Sequence, residues 1–227
     1  MKLPRVIADG PLADAVLELL DGKVNLANWE VSEIGDDHVQ AIYTYGHPPV
    51  DGEIMDRLPN LKTISNYGVG VDHVRLEDAA ARGIPVGNTP GILDGATADM
   101  AFTLLMAAAR RLVEGDKYAR GPQFTTYDPG YMLGREVHGA TLGIVGLGRI
   151  GRQIAKRAMA FDMTILYHNR RRREDVEASL GARYVSFEEL LRESDFVMLS
   201  VPLTDETRGM IGRDELRGMK PTATLVN

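Results

Sequence analysis

The chain has 227 residues, 44% hydrophobic and 26% charged, which suits one large or two ordinary soluble globular domains. A net charge of −6 speaks against a general nucleic-acid binder, and the lack of cysteine excludes disulfides, zinc–thiolate sites and thiol nucleophiles. With no apolar signal core at the N-terminus and no run of about 18 apolar residues, the expectation is a cytoplasmic protein with neither a membrane partner nor a metal site.

Short apolar runs alternate with helical patterns along most of the chain. "RVIA" (Arg5 to Ala8) precedes "LADAVLELL" (Leu12 to Leu20), "AIYTY" (Ala41 to Tyr45) precedes "DGEIMDRLP", and "LKTISN" (Leu61 to Asn66) precedes "RLEDAAARG". "IPVGN" (Ile84 to Asn88) closes this section. Such alternation predicts parallel strands joined by helical crossovers, hence an α/β fold. Asp94 to Gly121 reads as the longest helix, rich in Ala and Leu. Its apolar first half fits either a core helix or a dimer interface. Gly121 to Gly139, rich in Gly, Pro and Tyr, has no regular period and reads as a long connection between domains.

A second series starts at Thr141. The strands are "TLGIVG", "MTILYHN", "ARYVS", "DFVMLSVP" and "TATLVN". The helices between them are "RIGRQIAKRAMAFD", "REDVEASLG", "FEELLRES" and part of "TDETRGMIGRDELRGM". Between the first strand and its helix lies Gly146-Leu147-Gly148-Arg149-Ile150-Gly151, a G-x-G-x-x-G turn. In that context the three glycines have distinct tasks: a tight turn at Gly146, room for a pyrophosphate at Gly148, and close helix–strand packing at Gly151. The amides of Arg149 and Ile150 then face the phosphates from the positive end of the helix. The plainer reading is a glycine turn that holds no ligand.

About 20 residues further on, an NAD site has an acid for the ribose 2′-OH. Here that place holds His168, Asn169 and Arg170, and four arginines run from Arg170 to Arg173. A guanidinium suits a 2′-phosphate, which an acid would repel. The run therefore predicts NADP(H), with phosphate contacts from Arg170 and Arg171. Arg172 and Arg173 read as the solvated start of the next helix.

"NYGVGVDHV" (Asn66 to Val74), "GIPVGNTPG" (Gly83 to Gly91), "ATADMAFTLLMAAARR" (Ala96 to Arg111), "LGIVGLGRIG" (Leu142 to Gly151) and "SDFVMLSVPLTDETRGMIG" (Ser194 to Gly212) resemble, in order, the signatures of the D-2-hydroxyacid dehydrogenases. Within that family the chain is most similar to the NADP-preferring glyoxylate/hydroxypyruvate reductases, with the 2-ketogluconate reductases as neighbours. The resemblance implies a flavodoxin-like substrate domain over residues 1–98 and a Rossmann dinucleotide-binding domain over 99–227, with a cleft between them. It also implies a homodimer formed through the helix from Asp99. The amides of Val69 and Gly70 would hold the substrate carboxylate, a task that a glycine-rich turn suits. Gly46 would face the same cleft. Leu147, Arg149 and Ile150 would meet the pyrophosphate. Val201 and Pro202 would border the adenine and ribose, Thr207 the adenosine phosphate end, and Thr97 would approach the cofactor.

The implied activity is reduction of a small 2-oxo acid to a D-2-hydroxy acid with NADPH, and NAD(H) stays open as a second cofactor. The family's substrate-binding Arg and its Glu and His for proton transfer belong to motifs after an Asn like Asn227. On that basis the first domain lacks its C-terminal segment, the second stops after its fifth strand, and the 227 residues alone are expected to give no turnover. His38, His47, His73, His138 and His168 are not candidates for the missing acid. The alternative is a noncatalytic NADP(H)-binding sensor, like the family's corepressor relatives.

Overall fold

The structure is a computed structural model that describes residues 3–29, 38–46 and 48–227. His47 lies outside the described residues. The chain divides into two compact units, one up to Ile92 and one from Leu93 onward.

The first unit contains strands β1 (Arg5–Ala8), β2 (Asn25–Asn28), β3 (Val39–Thr44), β4 (Thr63–Asn66) and β5 (Val86–Gly87). Helices α1 (Asp14–Leu20), α2 (Gly52–Asp56) and α3 (Leu76–Ala81) alternate with them. All pairings are parallel, in the order β2-β1-β3-β4-β5. That is the flavodoxin-type order, with its topological switch between β1 and β3. Ile7, Ile42 and Ile64 on adjacent strands are fully buried and form the centre of the core. Strand β2, "NLAN", has no counterpart among the sequence expectations. Its end residues Asn25 and Asn28 are exposed and only Leu26 and Ala27 lie between them at the sheet edge, so it carries no apolar run to betray it.

The second unit opens with α4 (Asp94–Ala109) and α5 (Leu112–Arg120). One continuous helix was expected here; the structure has two. Arg111 takes a left-handed conformation, φ 52°, which is uncommon for a residue with a side chain. The cause lies downstream in the chain. The Arg135 amide donates to the Ala109 carbonyl at 2.7 Å, the acceptor that the next helical turn needs. Gly134 is pressed so close that a Cβ there would lie 2.7 Å from the same oxygen. Residues 121–139 form turns and irregular backbone, as expected, but inside the second unit rather than between the two.

After that come β6 (Thr141–Val145), α6 (Arg149–Met159), β7 (Thr164–His168), α7 (Glu174–Leu180), β8 (Ala182–Tyr184), α8 (Phe187–Glu193), β9 (Phe196–Leu199), α9 (Arg213–Gly218) and β10 (Thr224–Val226). The strands are parallel in the order β10-β9-β6-β7-β8. Counted from β6, this is the 3-2-1-4-5 portion of the dinucleotide-binding order. Helix α6 buries Gly151, Ile154, Ala155 and Ala158, a stripe at helical spacing facing the sheet. Helix α4 buries Ala98, Phe102, Leu105 and Ala109 and exposes Met100 and Leu104. It is thus a core helix with a second apolar stripe left outside. Among the described residues, no helix is long and apolar enough to cross a membrane.

Leu105 is fully buried at the centre of this packing, so Leu105→Ala is expected to cost about 2–5 kcal/mol. Ser186 caps α8 by accepting from the Glu189 amide, and Ser186→Ala is expected to cost only about 1 kcal/mol. Urea unfolding of the two variants should rank them in that order.

Candidate functional site

The turn after β6 is built by steric exclusion. Gly146 has φ 99°, and a Cβ there would lie 2.4 Å from the Ser200 carbonyl oxygen. A Cβ on Gly151 would lie 2.2 Å from the Gly146 carbonyl oxygen. Neither position accepts a side chain. Gly148 differs, because a Cβ there would meet nothing within 4 Å. Its glycine is not required by internal packing and leaves open space in front of the first turn of α6. That helix has Gly148 as its N-cap and no side-chain cap. Its first amides therefore lack the partner that a Ser or Asp would give them. An uncapped helix start behind an uncluttered glycine fits a dinucleotide pyrophosphate.

The structure gives the other expected residues specific positions. The Leu147 side chain is buried, and its amide donates to Asn169 Oδ1 at 2.6 Å. Asn169 is thus a clip between the glycine turn and the end of β7. Its carbonyl also accepts from the Tyr184 hydroxyl at 3.1 Å. The Arg149 guanidinium pairs with Asp94 at the start of α4, 2.8 Å apart. The His168 ring stacks on Tyr184, with 18° between the rings, and its Nδ1 lies 3.0 Å from the Val185 carbonyl. Val201 is half-buried beside Gly146, and Pro202 is exposed. The Thr207 hydroxyl donates to the Pro202 carbonyl at 2.6 Å and accepts from the Thr204 amide, so it braces this loop. Thr97 is exposed on α4.

The four arginines divide two and two. Arg172 grips Glu177 with two bonds of 2.8 Å, and Arg173 grips Asp175 with bonds of 2.9 and 2.8 Å. Arg170 and Arg171 are exposed and make no salt bridge or side-chain hydrogen bond among the described residues. Arg170 lies within the electrostatic reach of Glu206, whose carboxyl is held below its usual range mainly by the Thr204 hydroxyl. The bonds from Arg172 and then Tyr167 bring the Glu177 carboxyl down to about 2. A depressed carboxyl contributes its stabilisation above its unfolded value, about 4.3, and loses it only as pH falls through its folded one. The Arg172–Glu177 pair is therefore closed throughout the neutral range.

In the first unit the loop after β4 has its carbonyls fixed. Asn66 Nδ2 donates to the carbonyls of Gly68 (3.1 Å) and Gly70 (2.7 Å). Asn88 Nδ2 donates to the Val69 carbonyl at 2.9 Å, and the Thr89 amide donates to that of Gly68. A trans peptide points its N–H opposite to its C=O. Fixing these carbonyls turns the amides of Val69 and Gly70 the other way, and neither donates to another described residue. The result is a pair of outward N–H groups suited to an anion.

Gly46 has a local reason for lacking a side chain. Its φ is 105°, a Cβ there would lie 3.2 Å from His73 Nδ1, and its amide donates to Asp9. Asp9 also accepts from the Thr44 hydroxyl (2.6 Å) and the Tyr45 amide (2.7 Å), bridging the β1–β3 switch. Nearby Tyr43 is pushed up to about 12, first by burial and then by Tyr45, so it stays protonated. His73 Nε2 is buried without a partner among the described residues, and His138 pairs with Asp162. Sequence reasoning missed Asp9, Asn66, Asn88 and Glu177. The first three each stand at or just beyond a strand end, and Glu177 is an acid one helical turn past the arginine run; those positions are the available signal.

Gly148→Ala is expected to keep the unfolding temperature yet weaken dinucleotide binding roughly tenfold, about 1.4 kcal/mol. Gly151→Ala is expected to destabilise the second unit itself. Thermal unfolding and a fluorescence titration with reduced nicotinamide dinucleotide separate the two, and unchanged affinity in Gly148→Ala would remove the pyrophosphate from this turn.

Residues 102–227 match the family model described as D-isomer specific 2-hydroxyacid dehydrogenase, NAD binding domain. A glyoxylate reductase of Korarchaeum cryptofilum is 54% identical over 180 residues, which is 79% of this chain and 54% of that protein. The chain spans about half the length of the curated relatives it matches. The crystal structure of a NADPH-dependent glyoxylate/hydroxypyruvate reductase from Sinorhizobium meliloti, in complex with NADP and malonate, aligns with TM-score 0.84 and 30% identity, covering 98% of this chain and 70% of that one. D-Lactate dehydrogenase from Aquifex aeolicus, complexed with NAD and lactic acid, aligns with TM-score 0.86 and 28% identity, covering 97% and 67%. With a glycine turn seated at the switch point of a dinucleotide-type sheet, and with these likenesses, the chain belongs to the D-isomer specific 2-hydroxyacid dehydrogenase family.

Proposed function

We propose that the protein serves the reduction of a small 2-oxo acid, of the glyoxylate or hydroxypyruvate type, to a D-2-hydroxy acid, with NADPH as the preferred cofactor. The observation that carries the cofactor choice is the division of the arginine run. Arg172 and Arg173 are neutralised by acids of α7, whereas Arg170 and Arg171 keep exposed guanidiniums at the end of β7. A 2′-phosphate is the ligand such a pair suits. The relatives named glyoxylate reductase, and the Sinorhizobium reductase with its NADP, support the same reading.

When bound, the dinucleotide supplies the hydride. This chain's own residues bind and orient. The amides of Val69 and Gly70 receive the substrate carboxylate, and the open face of Gly148 and the first amides of α6 receive the pyrophosphate. None of the four described histidines is set up to protonate a substrate oxygen. His73 is enclosed against Gly46, His138 is paired with Asp162, His168 stacks at the adenosine side, and His38 is exposed beside β3.

Replacing Arg170 and Arg171 with Ala is expected to weaken NADPH by about tenfold to a hundredfold, or about 1.4–2.8 kcal/mol. NADH should change by less than about threefold. Equal losses for both cofactors in a binding titration would sink the NADP reading.

A homodimer is proposed as well, through the outer stripe of α4. Met100 and Leu104 are 60% and 45% exposed there, and Leu112 and Val113 follow at 60% each. Phe102, Met106 and Phe161 line an adjoining apolar groove with Arg110 and Arg157 among its other lining residues. Sedimentation velocity should find a dimer of the 24.9 kDa chain, which Met100→Asp with Leu104→Asp converts to a monomer; a monomeric parent chain would end this proposal.

A further inference from the structure

We infer that Glu177, acting through Tyr167 and Arg172, is a positioning residue that sets which arginines meet the 2′-phosphate. This rests on the NADP reading above and adds the element that enforces it.

Residues 169–173 join β7 to α7 and carry Arg170 and Arg171. Both ends of this turn are tied. At the first end, Asn169 is bound through its side chain to the Leu147 amide and through its carbonyl to Tyr184. At the second end, the Arg173 amide donates to the Tyr167 hydroxyl at 2.8 Å. Tyr167 is fully buried on β7, and its hydroxyl in turn donates to Glu177 Oε1 at 2.6 Å. One phenol thus accepts from the turn and donates to the helix. Glu177 closes the network by holding Arg172 with two further bonds, and only 17% of its side chain is exposed.

Two consequences follow from this wiring. The turn is ordered before any ligand arrives, and preorganisation reduces the entropy lost on binding. Arg172 is also withdrawn from the set of available cations, so the phosphate is offered Arg170 and Arg171 alone. Without Glu177 the Tyr167 hydroxyl that holds the turn loses its own acceptor, Arg172 is released, and three guanidiniums compete at the tip. The carboxylate sits on the helix, away from the arginines that it serves, and does not itself touch the phosphate.

The test is a calorimetric comparison of adenosine 5′-monophosphate with adenosine 2′,5′-bisphosphate; the monophosphate dissociation constant divided by the bisphosphate one isolates the 2′-phosphate. Glu177→Gln is expected to lower that ratio about tenfold, with the monophosphate constant unchanged and faster amide exchange over residues 170–173. Tyr167→Phe, which removes the shared hydroxyl with little change in shape, is expected to do the same in part. It keeps the test decisive if Glu177→Gln folds poorly. Glu177→Asp should recover part of the ratio. If Glu177→Gln and Tyr167→Phe leave the ratio intact while the Arg170/Arg171 double variant collapses it, the clamp stands and the positioning role is overturned. A higher bisphosphate affinity in Glu177→Gln, with Arg172 joining the phosphate, also overturns it. If the arginine variant leaves the ratio intact too, the NADP reading fails and this inference with it.

Discussion

The second unit depends on one close approach. Strand β6 and helix α6 meet where Gly151 faces the Gly146 carbonyl and Gly146 faces Ser200, at distances that exclude even a methyl group. That contact brings the start of α6 over the carboxyl end of β6, at the point where the strand order reverses. The remaining features follow from it. The helix begins without a side-chain cap, the space before Gly148 stays open, and Asn169 reaches from β7 to hold the Leu147 amide. The glycine turn and the arginine turn are consequently parts of one hydrogen-bonded assembly, although 22 residues separate Gly146 from His168.

The first unit reaches a similar end by other means. Among its described residues there is no glycine-cushioned helix start at the switch point. Asp9 ties β1 to the end of β3, and two asparagines turn the loop after β4 by taking its carbonyls. In both units, N–H groups without a partner among the described residues stand at the carboxyl edge of a parallel sheet. In one they come from a helix dipole and in the other from a loop held by side-chain amides.

Much of this was legible in the sequence because burial on both faces of parallel strands leaves continuous apolar runs, such as "TLGIVG" and "DFVMLSVP". The edge strand "NLAN" escaped because half of it faces solvent. The break at Arg111 escaped because its cause, the Arg135 amide and Gly134, lies more than twenty residues downstream and obeys no local rule. At the site, residue type pointed to the glycines and the arginines. It was silent on the partners, since no pattern states that Arg172 is spoken for and Arg170 is not. Gly46 was placed by the resemblance alone, and the structure adds a local reason for its missing side chain, a positive φ and the neighbouring His73 ring.

The carboxylate seat proposed at Val69 and Gly70 is made of backbone alone, which gives it an unusual genetic profile. The contact groups are present whatever side chain occupies position 69, so drift there changes the walls of the seat and not its grip. The sensitive positions are displaced to Asn66 and Asn88, whose side-chain amides hold the loop carbonyls. A survey of tolerated substitutions would therefore mark the asparagines as the site and pass over the residues that do the holding.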